Sequence, residues 1–121
     1  MAKYQIIPVH IYGISLDPSL AKKGRIDTTV LKGYKRVSRI WMLSDAVYEN
    51  SRSQIFSKPL RIGGKDVVQR SDHSFMLFPK KDNKDFYSIN SPGDGLAITG
   101  ELYDKDAPGG GYDMKLILKL E

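Results

Sequence analysis

Two stretches near the end of the chain decide the fold: LAITGELY at residues 96–103 and YDMKLILKL at residues 112–120. In both, apolar side chains alternate with small, polar or charged ones. Because successive side chains of a strand point to opposite faces, this period of two predicts strands with one buried face. The intervening Asp104–Gly111 is rich in Asp, Gly and Pro, so we expect a closing pair of strands joined by a loop.

Short stretches of the same character occur upstream. Strands are predicted at residues 3–12, 26–31, 37–43, 75–78 and 86–89, with a hairpin at 55–70 that turns on Gly63-Gly64. Residues 34–48 also fit a helical stripe. The β-branched and aromatic content of 37–43 favours a strand there, followed by a helical turn from Ser44 or Asp45 to Asn50.

A short helix is predicted from Asp17 to Gly24. Asp17 has the chemistry of an N-cap, Pro18 suits the first helical position, and Gly24 would end the helix. The fold class that follows is mainly β: an antiparallel β-sandwich of about eight short strands with one or two short helices, in a single domain over residues 1–121.

The first predicted strand is apolar on both faces. One face would carry Ile7, Val9 and Ile11, and the other Tyr4, Ile6, His10 and Tyr12. Such a pattern predicts a strand that is covered on both sides for part of its length. Pro8 lacks a backbone donor, which indicates an edge strand or a bulge.

The composition is that of a soluble globular protein, with 40% hydrophobic and 27% charged residues. The chain has no Cys, which excludes disulfides, thiolate metal sites and a Cys nucleophile. We expect a cytoplasmic protein, or one exported without a visible signal, since no membrane span or signal peptide is visible. The net charge of +5 favours an anionic partner, which could be nucleic acid, a membrane surface or an acidic protein.

The loop at residues 104–113 bears the most specific local pattern. Asp104 and Asp106 follow a strand, three glycines come next, and Asp113 lies at the start of the next strand. This is similar to the third calcium loop of C2 domains. The resemblance implies calcium-dependent binding to anionic lipid or protein through carboxylate ligands. The other ligands would have to come from Asp17 and Asp27, so whether a metal site exists is left open, and Asp and Gly also fill ordinary turns.

Basic residues form three groups, and aromatic Tyr34 and Trp41 lie near the second. The groups are Lys22-Lys23 with Arg25, then Lys32, Lys35, Arg36 and Arg39, and finally Lys80-Lys81 with Lys84. Cations that bind phosphates beside aromatics that stack on bases would suit nucleic acid. The alternative is that these cations coat exposed turns, and that Trp41 belongs to the core.

Catalytic chemistry has little support in the sequence. Ser71-Asp72-His73 contains three residue types of a catalytic triad, but a triad is a spatial arrangement, and neighbours on a turn rarely face one another. His10 is interpreted as a structural histidine, and Asp82 with Asp85 as part of a charged loop. We therefore predict no enzyme, no cofactor and no small-molecule substrate.

The leading functional hypothesis is a non-catalytic interaction or assembly module, a subunit of a larger protein complex that binds a protein partner or copies of itself. Edge strands that offer unpaired backbone groups to a neighbour support this hypothesis. Calcium-dependent docking on anionic lipid or protein and nucleic-acid binding through basic groups are the alternatives.

Overall fold

The computed structural model describes residues 3–44, 54–77 and 87–121. Within these ranges the chain forms eight strands and one short 3-10 helix, Ser74–Leu77. The strands are β1 (Lys3–Ile11), β2 (Lys23–Thr29), β3 (Arg36–Ser44), β4 (Gln54–Ile62), β5 (Lys65–Val68), β6 (Tyr87–Pro92), β7 (Ala97–Asp104) and β8 (Tyr112–Leu120). None of the described residues belongs to a helix that is long and apolar enough to cross a membrane.

The strands form two four-stranded antiparallel sheets. Sheet I has the order β1-β8-β3-β6, and sheet II has the order β2-β7-β4-β5. The pairs β1–β8, β2–β7, β3–β6 and β4–β5 are nested, so the chain resembles one long hairpin folded over, with its tip at Gly63-Gly64. This strand order is that of a jelly roll. The predicted antiparallel sandwich of about eight strands is therefore confirmed.

The hydrophobic core lies between the two sheets, and alternate residues of each strand point into it. From β8 the inward residues are Tyr112, Met114, Leu116, Leu118 and Leu120. Sheet II contributes a facing set that includes Ile26, Phe56, Leu60, Ile98 and Leu102. The period-two pattern of the sequence thus identifies the buried face of these strands correctly.

The predicted closing pair is wrong, although both of its strands exist. β7 lies in sheet II between β2 and β4, whereas β8 lies in sheet I between β1 and β3. The segment between them therefore crosses from one sheet to the other. Alternation specifies which face of a strand is buried, but it does not specify the neighbour with which the strand pairs.

The predicted helix at residues 17–24 is also wrong. Residues 18–22 form successive turns, and residues 23 and 24 already belong to β2. Asp17 accepts hydrogen bonds from the backbone N–H and the hydroxyl of Ser19, so its capping chemistry stabilises a turn instead. Gly24 is needed for packing, because a Cβ there would lie 2.4 Å from Cδ1 of Ile11.

Residues 75–77 are not the predicted strand but part of the 3-10 helix, and the prediction's last residue, Phe78, lies outside the described ranges. Leu77 is fully buried in the core. Leu77 is therefore buried in a 3-10 helix and not in a paired strand. Periodicity alone cannot separate these two cases.

Several other predictions for the described residues agree with the structure, whereas β2 (Lys23–Thr29) begins and ends earlier than the strand predicted at residues 26–31. Residues 37–43 form a strand within β3, and Gly63 and Gly64 turn the β4–β5 hairpin with φ of 61° and 82°. β1 is an edge strand, as Pro8 indicated. β6 extends to Pro92, further than predicted. The predicted helical turn up to Asn50 lies outside the described residues.

Candidate interaction surfaces

The outward side chains of β1, β8 and β3 lie in four rows across sheet I. The rows are Tyr4–Lys119–Arg39, Ile6–Ile117–Trp41, Pro8–Lys115–Leu43 and His10–Asp113. We call the five apolar residues of the two middle rows the apolar band: Ile6, Pro8, Trp41, Leu43 and Ile117. Cations lie at one end of the band and a carboxylate lies at the other, and Lys115 lies within the row of Pro8 and Leu43.

Much of this apolar surface is open to solvent. Tyr4 is 52% exposed and Ile6 is 59% exposed, and Leu43 is also exposed. The sequence predicted that β1 is covered on both faces for part of its length, and the structure corrects this prediction. The fold covers Ile7, Val9 and Ile11 but leaves the opposite face of the strand largely uncovered.

Trp41 is buried, as predicted, but not between the sheets. It is 8% exposed and lies on the outer face of sheet I beside Ile117, which is equally well covered. The ring of Tyr4 meets the ring of Trp41 edge-on, with centroids 5.4 Å apart and planes at 75°. Trp41 and Ile117 are therefore the well-covered members of the apolar band, and the Tyr4 ring contributes to the cover of Trp41.

A shallow pocket of about 340 Å³ opens at the end of the band that bears the carboxylate. Pro8, Leu43, Asp113 and Lys115 contribute to its lining. Beside it, Nδ1 of His10 lies 2.8 Å from Oδ1 of Asp113, so His10 is a paired surface histidine. The pocket combines apolar walls with one charge of each sign, which suits a side chain of another protein.

The outer face of sheet II has a different character, because it is dominated by charges around a buried carboxylate. Glu101 of β7 is only 4% exposed. Its Oε1 accepts a hydrogen bond of 2.9 Å from the hydroxyl of Ser57. Nζ of Lys23 lies 3.7 Å from Oε1, while Nε of Arg25 and Nζ of Lys58 lie 3.6 Å and 3.9 Å from Oε2.

The strand register explains how these cations meet. Arg25 of β2 and Lys58 of β4 are both direct neighbours of Glu101, one on each side of β7. The register of β4 shifts on both sides of Lys58, as at a β-bulge, and this shift brings Ser57 to the same carboxylate. Glu101 is buried because its charge has three cationic neighbours and a hydroxyl donor.

The loop with the C2-like pattern does not bring its aspartates together. Asp104 is buried, and its carboxylate accepts hydrogen bonds from the hydroxyl of Tyr112 and the backbone N–H of Asp106. Asp113 lies on sheet I with His10. Across the parts of the chain that the structure describes, no group of three or more His, Cys, Asp or Glu side chains could hold a metal ion. Calcium binding remains a hypothesis without support from this geometry.

The three predicted basic groups are dispersed. Lys23 and Arg25 lie on sheet II, Lys22 bonds to the carbonyl of Lys105, and Arg36 pairs with Glu121. Lys32 and Lys35 are exposed on the β2–β3 connection, and Tyr34 packs against the core. Arg39 lies on the outer face of sheet I. Residues 80, 81 and 84 are outside the described ranges.

The Ser71-Asp72-His73 segment has a structural role in the fold. The Ser71 N–H donates to the carbonyl of Phe56, and the carbonyl of Asp72 accepts from the N–H of Phe56. His73 forms an isolated bridge with Ile55. Asp82 and Asp85 lie outside the described residues. The segment 71–73 therefore pairs with residues 55 and 56 of β4 through its backbone.

Sequence reasoning did not single out the residues that matter most on the two surfaces. Glu101 looked like an ordinary exposed position of an alternating strand, because its neighbours come from β2 and β4. Ile6 looked like a covered residue. Comparisons of the chain with protein-family models, with curated proteins and with solved structures found no match. Functional inference therefore starts from the chemistry of these surfaces.

Proposed function

We propose that the protein is a non-catalytic assembly module whose copies associate through the outer face of sheet I. The observation that carries the proposal is the mismatch at β1. Its sequence is apolar on both faces, yet the fold buries one face and leaves Tyr4 and Ile6 more than half exposed. A partner that covers this face would complete the burial that the sequence specifies.

The composition of the face is that of a protein contact. An apolar centre with aromatic residues, surrounded by charged residues, is typical of interfaces between subunits. Here exposed Ile6 and Leu43 lie beside the buried pair Trp41 and Ile117, while Lys119 and Asp113 lie at opposite ends. The aromatic pair Tyr4–Trp41 gives this centre a fixed shape, which reduces the entropy lost on association.

The charges favour a second copy of the chain as the partner. Suppose that a two-fold axis lies in the plane of the contact, parallel to the rows and midway between the two rows of the apolar band. The row of Ile6 in one copy then faces the row of Pro8 in the second copy. The cationic row with Lys119 and Arg39 then faces Asp113 of the second copy, and the same contact recurs at the other end. Such self-complementarity is what an isologous interface requires.

Pairing through the edge of β1 is a less suitable mode of association. Pro8 removes a backbone donor from the middle of the strand. The Gln5 side chain also connects the strand to β2 and the segment after it, since it bonds to the carbonyl of Thr29 and the N–H of Leu31. The face of sheet I, not its edge, is therefore the proposed contact.

Light scattering coupled to size-exclusion chromatography over a range of concentrations tests this function. We expect the native protein to associate and Ile6→Glu to be monomeric, because a charge would be buried in the contact. Ile14→Glu is the matched control, since Ile14 is 83% exposed on the β1–β2 connection, away from the band. A native protein that stays monomeric at high concentration and binds no protein would overturn the proposal.

A further inference from the structure

The charge cluster on sheet II lines a groove that is separate from the proposed assembly face. The groove has a volume of about 440 Å³ and runs across β2, β7 and β4. Arg25, Lys58 and Arg61 supply its cations, and Glu101 forms part of its lining. Lys23 extends the cationic surface beside it.

The cations of this groove remain available to a ligand. Lys23, Arg25 and Lys58 lie 3.6–3.9 Å from the Glu101 carboxylate, which is beyond hydrogen-bond range, so their attraction to it is Coulombic. Their N–H groups therefore make no hydrogen bond to the carboxylate and can donate to a ligand. The side chain of Lys58 is 69% exposed, and that of Arg25 is 56% exposed.

The buried carboxylate gathers cations that would otherwise repel each other. One carboxylate balances one of its three cationic neighbours and leaves the rest of their charge facing solvent. Arg61 is held separately by Asp66, at 2.6 Å, and Asp27 is an exposed carboxylate of the same groove. The excess positive charge is local and lies over Glu101. An oxyanion there would meet N–H donors from β2 and β4.

An aromatic side chain lies in the adjoining row of the same face. Tyr103 of β7 is partly exposed and is the direct neighbour of Lys23. Cations that contact phosphates next to an aromatic ring that stacks on a base are the arrangement by which proteins bind single-stranded nucleic acid. A phospholipid headgroup would use the cations but would gain nothing from the ring.

We propose that the outer face of sheet II binds single-stranded nucleic acid, with Lys23, Arg25 and Lys58 on backbone phosphates and Tyr103 against a base. This binding goes beyond assembly and uses the opposite sheet. With three phosphates engaged, log K should fall against log salt with a slope of about −2.

Fluorescence anisotropy with a labelled single-stranded oligonucleotide at low salt tests the proposal. We expect binding by the native protein and a loss of about tenfold or more in Arg25→Gln/Lys58→Gln. The matched control, Lys32→Gln/Lys35→Gln, removes the same charge from exposed positions elsewhere and should bind nearly as the native protein does. Circular dichroism melts verify that the variants fold.

Variants at Tyr103 separate this site from a merely structural cluster. Tyr103→Ala should weaken binding and Tyr103→Phe should preserve it. The proposal is overturned by absence of binding, by equal weakening in the Lys32/Lys35 control, by indifference to Tyr103→Ala, or by equal binding to inorganic phosphate or anionic vesicles.

Discussion

Reversing the charges at the two ends of the apolar band tests the proposed two-fold contact in detail. In the proposed dimer, Lys119 of one copy faces Asp113 of the other, and symmetry repeats this contact. Asp113→Lys replaces both attractions with repulsions. An exposed ion pair contributes about 0.5 kcal/mol, so the reversal of two pairs costs about 2 kcal/mol, or about 30-fold in Kd.

The double variant Asp113→Lys/Lys119→Asp should recover most of this loss. Residues 113 and 119 lie six residues apart on β8, which is about 20 Å along a strand. At physiological salt the screening length is about 8 Å, so the two side chains hardly interact within one chain. Recovery therefore has to come from a contact between copies.

Sedimentation equilibrium measures the Kd of the native protein, both single variants and the double variant at low and high salt. We expect non-additive effects at low salt that diminish at high salt, where exposed charges are screened. The two-fold reasoning is refuted if Asp113→Lys associates as tightly as the native protein, or if the double variant is as weak as the sum of the single variants.

Three other predictions concern the fold and its ions. Tyr112→Phe removes a hydrogen bond to the buried Asp104 carboxylate and should cost about 1.5–3 kcal/mol in urea unfolding, whereas exposed Tyr12→Phe should cost little. The Arg36 guanidinium lowers the pKa of Glu121 below its ordinary 4.5, so the Arg36–Glu121 pair stabilises the native protein only while Glu121 is ionised. The free energy of unfolding of the native protein should therefore fall as the pH drops below 4.5, toward that of Glu121→Gln, which lacks the charge at every pH. Millimolar calcium should leave Tm unchanged in a thermal melt, and a clear rise would restore the C2-like hypothesis.

The sequence predicts the buried faces of strands well and their neighbours poorly. The alternation in residues 112–120 is a local property of the sequence. It can be recognised because the inward side chains are apolar and most of the outward ones are charged. The pairing of β8 with β1 and β3 is not local, and it depends on how the whole folded-over hairpin packs. A closing β7–β8 pair was therefore a natural but wrong expectation.

Turn chemistry also has more than one structural use. Asp17 and Pro18 fit a helix start, but the same carboxylate stabilises a turn through Ser19. Gly24 looked like a helix stop and instead makes room for the Ile11 side chain. The role of Gly24 depends on its contact with Ile11 of β1, which residue spacing does not reveal.

The two surfaces differ in how far the sequence could reveal them. The apolar outer face of β1 is present in the sequence pattern, and only its exposure required the structure. The Glu101 cluster joins residues from three strands with shifted register, so neither its burial nor its cations could be inferred from spacing.

Cross-linking between introduced cysteines tests the assembly face most directly, because the native chain has no Cys. Lys115 lies in the middle of the proposed contact, close to the two-fold axis, and Lys65 lies on the edge strand of sheet II. With a short bifunctional maleimide, Lys115→Cys should give a covalent dimer at concentrations where the native protein associates, and Lys65→Cys should not. Equal cross-linking at both positions, or none at Lys115→Cys, would contradict the account.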